Sequence, residues 1–93
     1  MRLSDAEQST LVRAIVAVDP DAKIWLHGSR TRDEARGGDI DLLVLSHHIG
    51  LKEKLDLLAR LHVALGDQKI DLTIVHDVER PFARLAIAQG VRL

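Results

Sequence analysis

Apolar and polar residues alternate along this chain with two different periods, and the switches between them divide it into elements. Leu11, Val12, Ile15 and Val16 recur at the three-to-four-residue spacing of a helix. Ser4 followed by Glu7 has the form of a capping box at its start, and Asp19-Pro20 ends it. Lys23 to His27 is short and apolar through Ile24-Trp25-Leu26 and runs into Gly28-Ser29, which predicts a buried strand entering a tight turn. The polar stretch Arg30 to Arg36 predicts a short helix broken by Gly37-Gly38, and Asp39 to Leu45 a second strand. Leu51, Leu55, Leu58, Leu61 (or His62) and Leu65 predict an amphipathic helix that stops at Gly66. Lys69 to Val75 then reads as a third strand. Glu79 to Gln89 reads as a last helix, with Pro81 in its first turn and Gly90 just beyond its end.

Helices alternating with a few strands imply an α/β (α+β) fold: a small mixed sheet of about three strands covered by helices. At 93 residues, 46% of them hydrophobic, the chain suffices for one core and not two, so a single domain over residues 1–93 is expected. The formal net charge of −1, from 13 Lys+Arg and 14 Asp+Glu, supplies no general positive field for nucleic acid, so any anion site must be local. With no cysteine there is neither a disulfide framework nor a thiolate zinc site, which fits a reducing cytoplasm. The N-terminus turns polar before any apolar run of signal length, and no run approaches the roughly 20 residues of a membrane helix. A cytoplasmic protein is expected.

The chemistry concentrates between Gly28 and Val44. Asp39 and Asp41 interrupt an apolar strand, and because side chains alternate faces, both carboxylates project to one side about 6.6 Å apart along it. Carboxylates held that close repel, and a shared hard cation such as Mg²⁺, Mn²⁺ or Ca²⁺ relieves the repulsion. The arrangement recurs at Ile70-Asp71-Leu72-Thr73-Ile74, so Asp71 can join the pair if the two strands are neighbours. Gly28-Ser29 offers a complementary part, since glycine lets backbone approach a ligand closely and a helix start presents free N–H groups to phosphate. Arg30, Arg32 and Arg36 add positive charge nearby. A solvated strand edge would also give alternating aspartates, and Gly-Ser alone would be an ordinary turn. The recurrence at Asp71 and the coincidence of the two features favour a site.

Taken together, these residues resemble the DNA-polymerase-β-like nucleotidyltransferases, whose signature is a Gly-Ser turn, a spacer, Asp-x-Asp in a strand and a later lone acidic residue in another. The small stand-alone members, the minimal nucleotidyltransferases, are the nearest match, over nearly the whole chain. The resemblance implies that Gly28 and Ser29 bind the β- and γ-phosphates, that Arg30 steadies the triphosphate, and that Asp39 and Asp41 hold Mg²⁺ (or Mn²⁺). Asp71 would complete the metal site and help deprotonate the incoming hydroxyl. It further implies transfer of a nucleoside monophosphate, AMP from ATP, to a hydroxyl of a helical HEPN-type toxin, with this chain as the antitoxin. The sequence departs from the family at His27, where an aromatic is common, and in its nine-residue spacer.

Other polar residues have plainer readings. Arg32 and Arg36 suit a solvated surface as well as a phosphate, His47-His48 a loop, His62 and His76 structural positions, and Lys69 a strand start. Two other functions stand beside the protein-modifying enzyme. One is a non-catalytic, nucleotide-binding or partner-blocking subunit, suggested by an apolar last helix with Phe82, Leu85, Ala86 and Ile87. The other, a small-molecule transferase of the antibiotic-modifying kind, would need an acceptor domain for which little chain remains.

Overall fold

The computed structural model describes residues 1–34 and 37–93. The first helix, α1 (Asp5–Val18), begins at the capping box: the Glu7 N–H donates to Ser4 Oγ and the Ser4 N–H to Glu7 Oε1, both at 3.0 Å. Two of the donors a helix start leaves unpaired are thereby satisfied. Strand β1 (Lys23–His27) follows, then a single 3-10 turn over Gly28–Thr31. A longer helix reaching Arg36 was expected there. Glycine at the first position, with φ +77°, and the bond from the Arg32 N–H to the Ser29 carbonyl close the turn after four residues; Ala35 and Arg36 lie outside the described residues.

Next come β2 (Ile40–Leu45), α2 (Leu51–Leu65), β3 (Ile70–Val75), α3 (Pro81–Gln89) and β4 (Val91–Arg92). At the start of α2 the Glu53 carboxylate accepts the Gly50 N–H at 2.9 Å, which is half of a capping box because glycine has no side chain to return the bond. The sheet order is β3-β2-β1-β4. β1 is antiparallel to β2 and β4, and β3 is parallel to β2, so α2 is the crossover a parallel pair requires. The fold is the expected α+β class with one more strand. β4 is two residues long, set by pairing Trp25 with Arg92 and Leu26 with Val91, and so leaves no periodic trace in the sequence.

Alternation along the strands gives the sheet two different faces. Ile24, Leu26, Ile40, Leu42, Val44, Ile70 and Leu72 face α1 and α2 and form the main core with Leu11, Ile15, Leu57 and Leu61. Trp25, Leu43 and Val75 face the other way, against Ala83 and Ala86 of α3. The α2 stripe differs from expectation: Leu57 and Leu61 are fully buried, Leu58 and Leu65 half-buried, and Leu51, Leu55 and His62 exposed. Leucines occur on several sides of this helix, and the docked sheet selects the side that Leu57 and Leu61 share.

Candidate active site

The face that carries α3 also carries the carboxylates. Cross-strand register places His27 opposite Asp41 and Asp41 opposite Asp71, so the three residues form one row across β1, β2 and β3. The next row, Trp25, Leu43 and Thr73, contributes to the contact with α3. Helix α3 therefore covers the apolar middle of the face and leaves its polar end free. Phe82 meets the His27 ring edge to face, with centroids 5.8 Å apart.

Asp41 is half-buried and Asp71 exposed. Burial pushes the Asp41 carboxyl above the ordinary carboxylate range; nearby His27 opposes that rise, and Asp71 and Asp39 add to it by like-charge repulsion. No hydrogen bond to the Asp41 carboxylate is formed among the described residues. Asp39 sits one residue before β2, with Oδ2 3.5 Å from the Lys69 ammonium. Both partners are solvent-accessible, so this ion pair holds Asp39 only weakly.

Donor chemistry suits a hard divalent ion: carboxylate oxygens are its preferred ligands, and Asp41 sits among like charges whose repulsion it would relieve. Asp41 and Asp71 share the row, and Asp39 can join by leaving Lys69. Among the described residues no three acidic or histidine side chains surround one point as a finished cage.

Gly28 and Ser29 border the same corner. Gly28 occupies the left-handed region, and a Cβ at this position would overlap the Asp41 carboxylate, so only glycine lets the turn pass this close to the carboxylate. Gly38 similarly packs where a Cβ would strike Ser29 Oγ. A cavity of about 370 Å³ opens beside the turn, lined by Gly28, Ser29, Thr31, Arg32 and Gln89. A second cavity of about 370 Å³ lies against Val78, Glu79, Arg84, Ile87 and Ala88, away from the carboxylate row. Size does not separate the two; only the first adjoins the row and the Gly-Ser turn.

The arginines are placed differently from the expectation for Arg30. Its guanidinium donates to the Arg2 carbonyl at 3.0 Å, to Gln68 Oε1 at 2.9 Å and to the Gly38 carbonyl at 3.3 Å. Arg2 reciprocates, its backbone N–H reaching the Arg30 carbonyl at 2.7 Å and its side chain the carbonyls of Arg32 and Ser29. Arg2 and Arg30 thus brace the turn from behind, and among the described residues Arg32 is the cation that lines the cavity. Nothing in the residue types distinguishes Arg30 from Arg32; the bracing depends on where the N-terminal segment docks.

Sequence reasoning also missed the part played by His27. Its Nε2 is buried with no hydrogen-bond partner among the described residues, the kind of unsatisfied atom that concentrates at functional sites. The only signal was its position immediately before Gly28. At the opposite end of the sheet, Asp19 is buried and accepts a 2.6 Å bond from Ser46 Oγ, which holds its carboxyl below the usual range. His76 Nδ1–H donates to the Ser46 carbonyl at 2.9 Å, in keeping with a structural role, and its ring stacks on His47.

A Gly-Ser turn is thus packed on a strand carboxylate, with a second carboxylate in register on the next strand. The chain belongs to the family described as Polymerase beta, Nucleotidyltransferase, whose sequence model matches residues 16–93. Two solved structures of mutant MntA–HpeT toxin–antitoxin complexes contain chains of similar fold. One is 23% identical with a TM-score of 0.71, covering 92% of this chain and 69% of that one. The other is 22% identical with a TM-score of 0.72, covering 92% of this chain and 70% of that one. No curated protein matches the sequence. Among the described residues no helix is long and apolar enough to cross a membrane.

Proposed function

We propose that this chain transfers a nucleoside monophosphate, AMP from ATP, to a hydroxyl of a partner protein. The observation that carries the reading is the pairing of Asp41 with Asp71 beside the Gly28-Ser29 turn and its cavity. Asp41 and Asp71, with Asp39 released from Lys69, would hold Mg²⁺ or Mn²⁺. Bound there, the ion would neutralise phosphate charge and stabilise the oxygens that enter and leave. Gly28 and Ser29 hold the β- and γ-phosphates, and Arg32, which lines the cavity, supplies the cation for them. Asp71, the more exposed of the row's two carboxylates, accepts the proton of the acceptor hydroxyl. The acceptor oxygen then bonds to the α-phosphorus, the bond to the bridging oxygen breaks, and pyrophosphate leaves.

The partner we propose is a helical HEPN-type toxin, with this chain as its antitoxin. One observation supports it: the fold resembles chains of toxin–antitoxin complexes. The chain has no tyrosine, so a tyrosine acceptor would have to belong to the partner. The test is incubation with Mg²⁺, the co-purifying partner and ATP labelled separately at its α- and γ-phosphates. Transfer of the α-label, lost in the Asp39→Asn, Asp41→Asn, Asp71→Asn triple variant, is expected. Transfer of the γ-label, or undiminished transfer by the variant, would overturn the reading.

A second reading has its own observation. On α3, Phe82 and Leu85 are 53% and 56% exposed, whereas Ala83 and Ala86 fill the core. That apolar surface beside the site suits a subunit that blocks its partner by binding alone. Neutralisation of the partner that survives the triple substitution would select this reading.

A further inference from the structure

We propose that His27 is a positioning residue that donates its Nε2–H to the Asp41 carboxylate and so fixes the orientation in which that carboxylate holds a divalent ion. The inference rests on the reading of Asp41 as a metal ligand. Two neighbouring groups each lack what the other offers. Among the described residues, His27 Nε2 is buried without a hydrogen-bond partner, and the Asp41 carboxylate accepts no hydrogen bond. The two residues are register partners on the antiparallel strands β1 and β2, with both side chains on the face that carries α3. Residues opposed in this way have Cβ atoms about 4.5–5.5 Å apart, a gap that an imidazole and a carboxylate can close by side-chain rotation.

Packing alone does not explain a histidine here. A phenyl ring could meet Phe82 edge to face as the imidazole does, and it would bury no polar atom. A buried nitrogen left unpaired costs about 1–3 kcal/mol. In the neutral imidazole one nitrogen carries the proton and the other accepts; beside an ionised carboxylate, which only accepts, the useful form has the proton on Nε2. Asp41 in turn lacks a donor: burial raises its carboxyl, Asp71 and Asp39 raise it further, and His27 is the first group that opposes the rise. Gly28, the next residue, packs where a Cβ would overlap Asp41 Oδ2. Consecutive residues thus border one carboxylate, the glycine setting how closely the turn approaches and the histidine setting how the carboxylate is turned. Groups that hydrogen-bond a metal ligand in this way contribute roughly 10–100-fold to metal affinity or activity.

The test is Mn²⁺ binding to the full chain without nucleotide, followed by electron paramagnetic resonance at fixed neutral pH, with urea unfolding of the metal-free protein beside it. His27→Phe, which keeps a ring against Phe82 and removes the nitrogen, should weaken Mn²⁺ binding roughly tenfold or more while leaving the metal-free chain at least as stable as wild type. His27→Gln, whose amide can still donate, should bind Mn²⁺ within a few-fold of wild type. Nitrogen-15 NMR of the metal-free chain, with the His27 signals assigned by their loss in His27→Phe, should show a proton on Nε2. His27→Phe binding Mn²⁺ as wild type does would overturn the proposal and leave the metal-ligand reading of Asp41 standing. So would His27→Gln as weak as His27→Phe, an Nε2 without a proton, or a His27→Phe chain that loses stability and metal together, which marks a purely structural ring. Wild-type protein that binds no Mn²⁺, with or without ATP, would overturn the metal-ligand reading and this inference with it.

Discussion

Replacing Asp41 by Asn should make the metal-free protein more stable at neutral pH. Asp41 and Asp71 are register partners on neighbouring strands, which run about 4.8 Å apart. At that separation two negative charges repel by roughly 1–3 kcal/mol for effective dielectric constants between 80 and 20. Because Asp71 is exposed, the low end applies, about 1 kcal/mol. Asn keeps the shape and removes the charge, and the Asp41 carboxylate accepts no hydrogen bond among the described residues that the change would break. For a domain of this size about 1 kcal/mol corresponds to a rise in Tm of roughly 4–8 °C. The pH dependence follows from the raised carboxyl of Asp41. A folded-state value above the unfolded one means the penalty is absent below the ordinary carboxylate range, grows as pH rises through it, and is complete above the folded value. The advantage of the variant should therefore be full near pH 7.5 and vanish near pH 3.5. Calorimetry or urea unfolding in the presence of a chelator at several pH values measures it. A variant no more stable than wild type at neutral pH, or a gain that does not shrink with acid, would refute this account of the site.

Gly28→Ala should cost roughly 1–3 kcal/mol in urea unfolding, because alanine is strained in the left-handed region and its Cβ meets the Asp41 carboxylate. Arg32→Ala should weaken triphosphate binding in calorimetric titration by about tenfold with little change in stability, whereas Arg30→Ala should lower the melting temperature by releasing the turn from Arg2, Gln68 and Gly38. Ser46→Ala removes the hydroxyl that holds the Asp19 carboxyl low. A depressed carboxyl contributes stability present above its unfolded value and lost as pH falls through the folded one, so acid unfolding followed by circular dichroism should begin at higher pH in this variant.

Local chemistry made much of this protein legible in its sequence. A capping box, a proline stop, a glycine past each of the last two helices and period-two strands are decided by neighbours within a few residues. The boundaries of β1, α2 and the end of α3 accordingly match their sequence signals. The motif residues Gly28, Ser29, Asp39, Asp41 and Asp71 were visible because aspartate inside an apolar strand needs an explanation wherever the strand lies. What the tertiary structure alone decided are matters of partnership between distant segments. Parallel pairing of β2 with β3 set Asp41 against Asp71, and antiparallel pairing with β1 added His27 to the row. Docking of the N-terminal segment assigned Arg30 to bracing and left Arg32 at the cavity. Burial of Asp19 depended on Ser46, 27 positions away. Helix α2 shows the division most clearly: its leucines occur on several sides, so periodicity established that it is a helix, and only its packing against the sheet chose Leu57 and Leu61 for the core and left Leu51, Leu55 and Val63 outside.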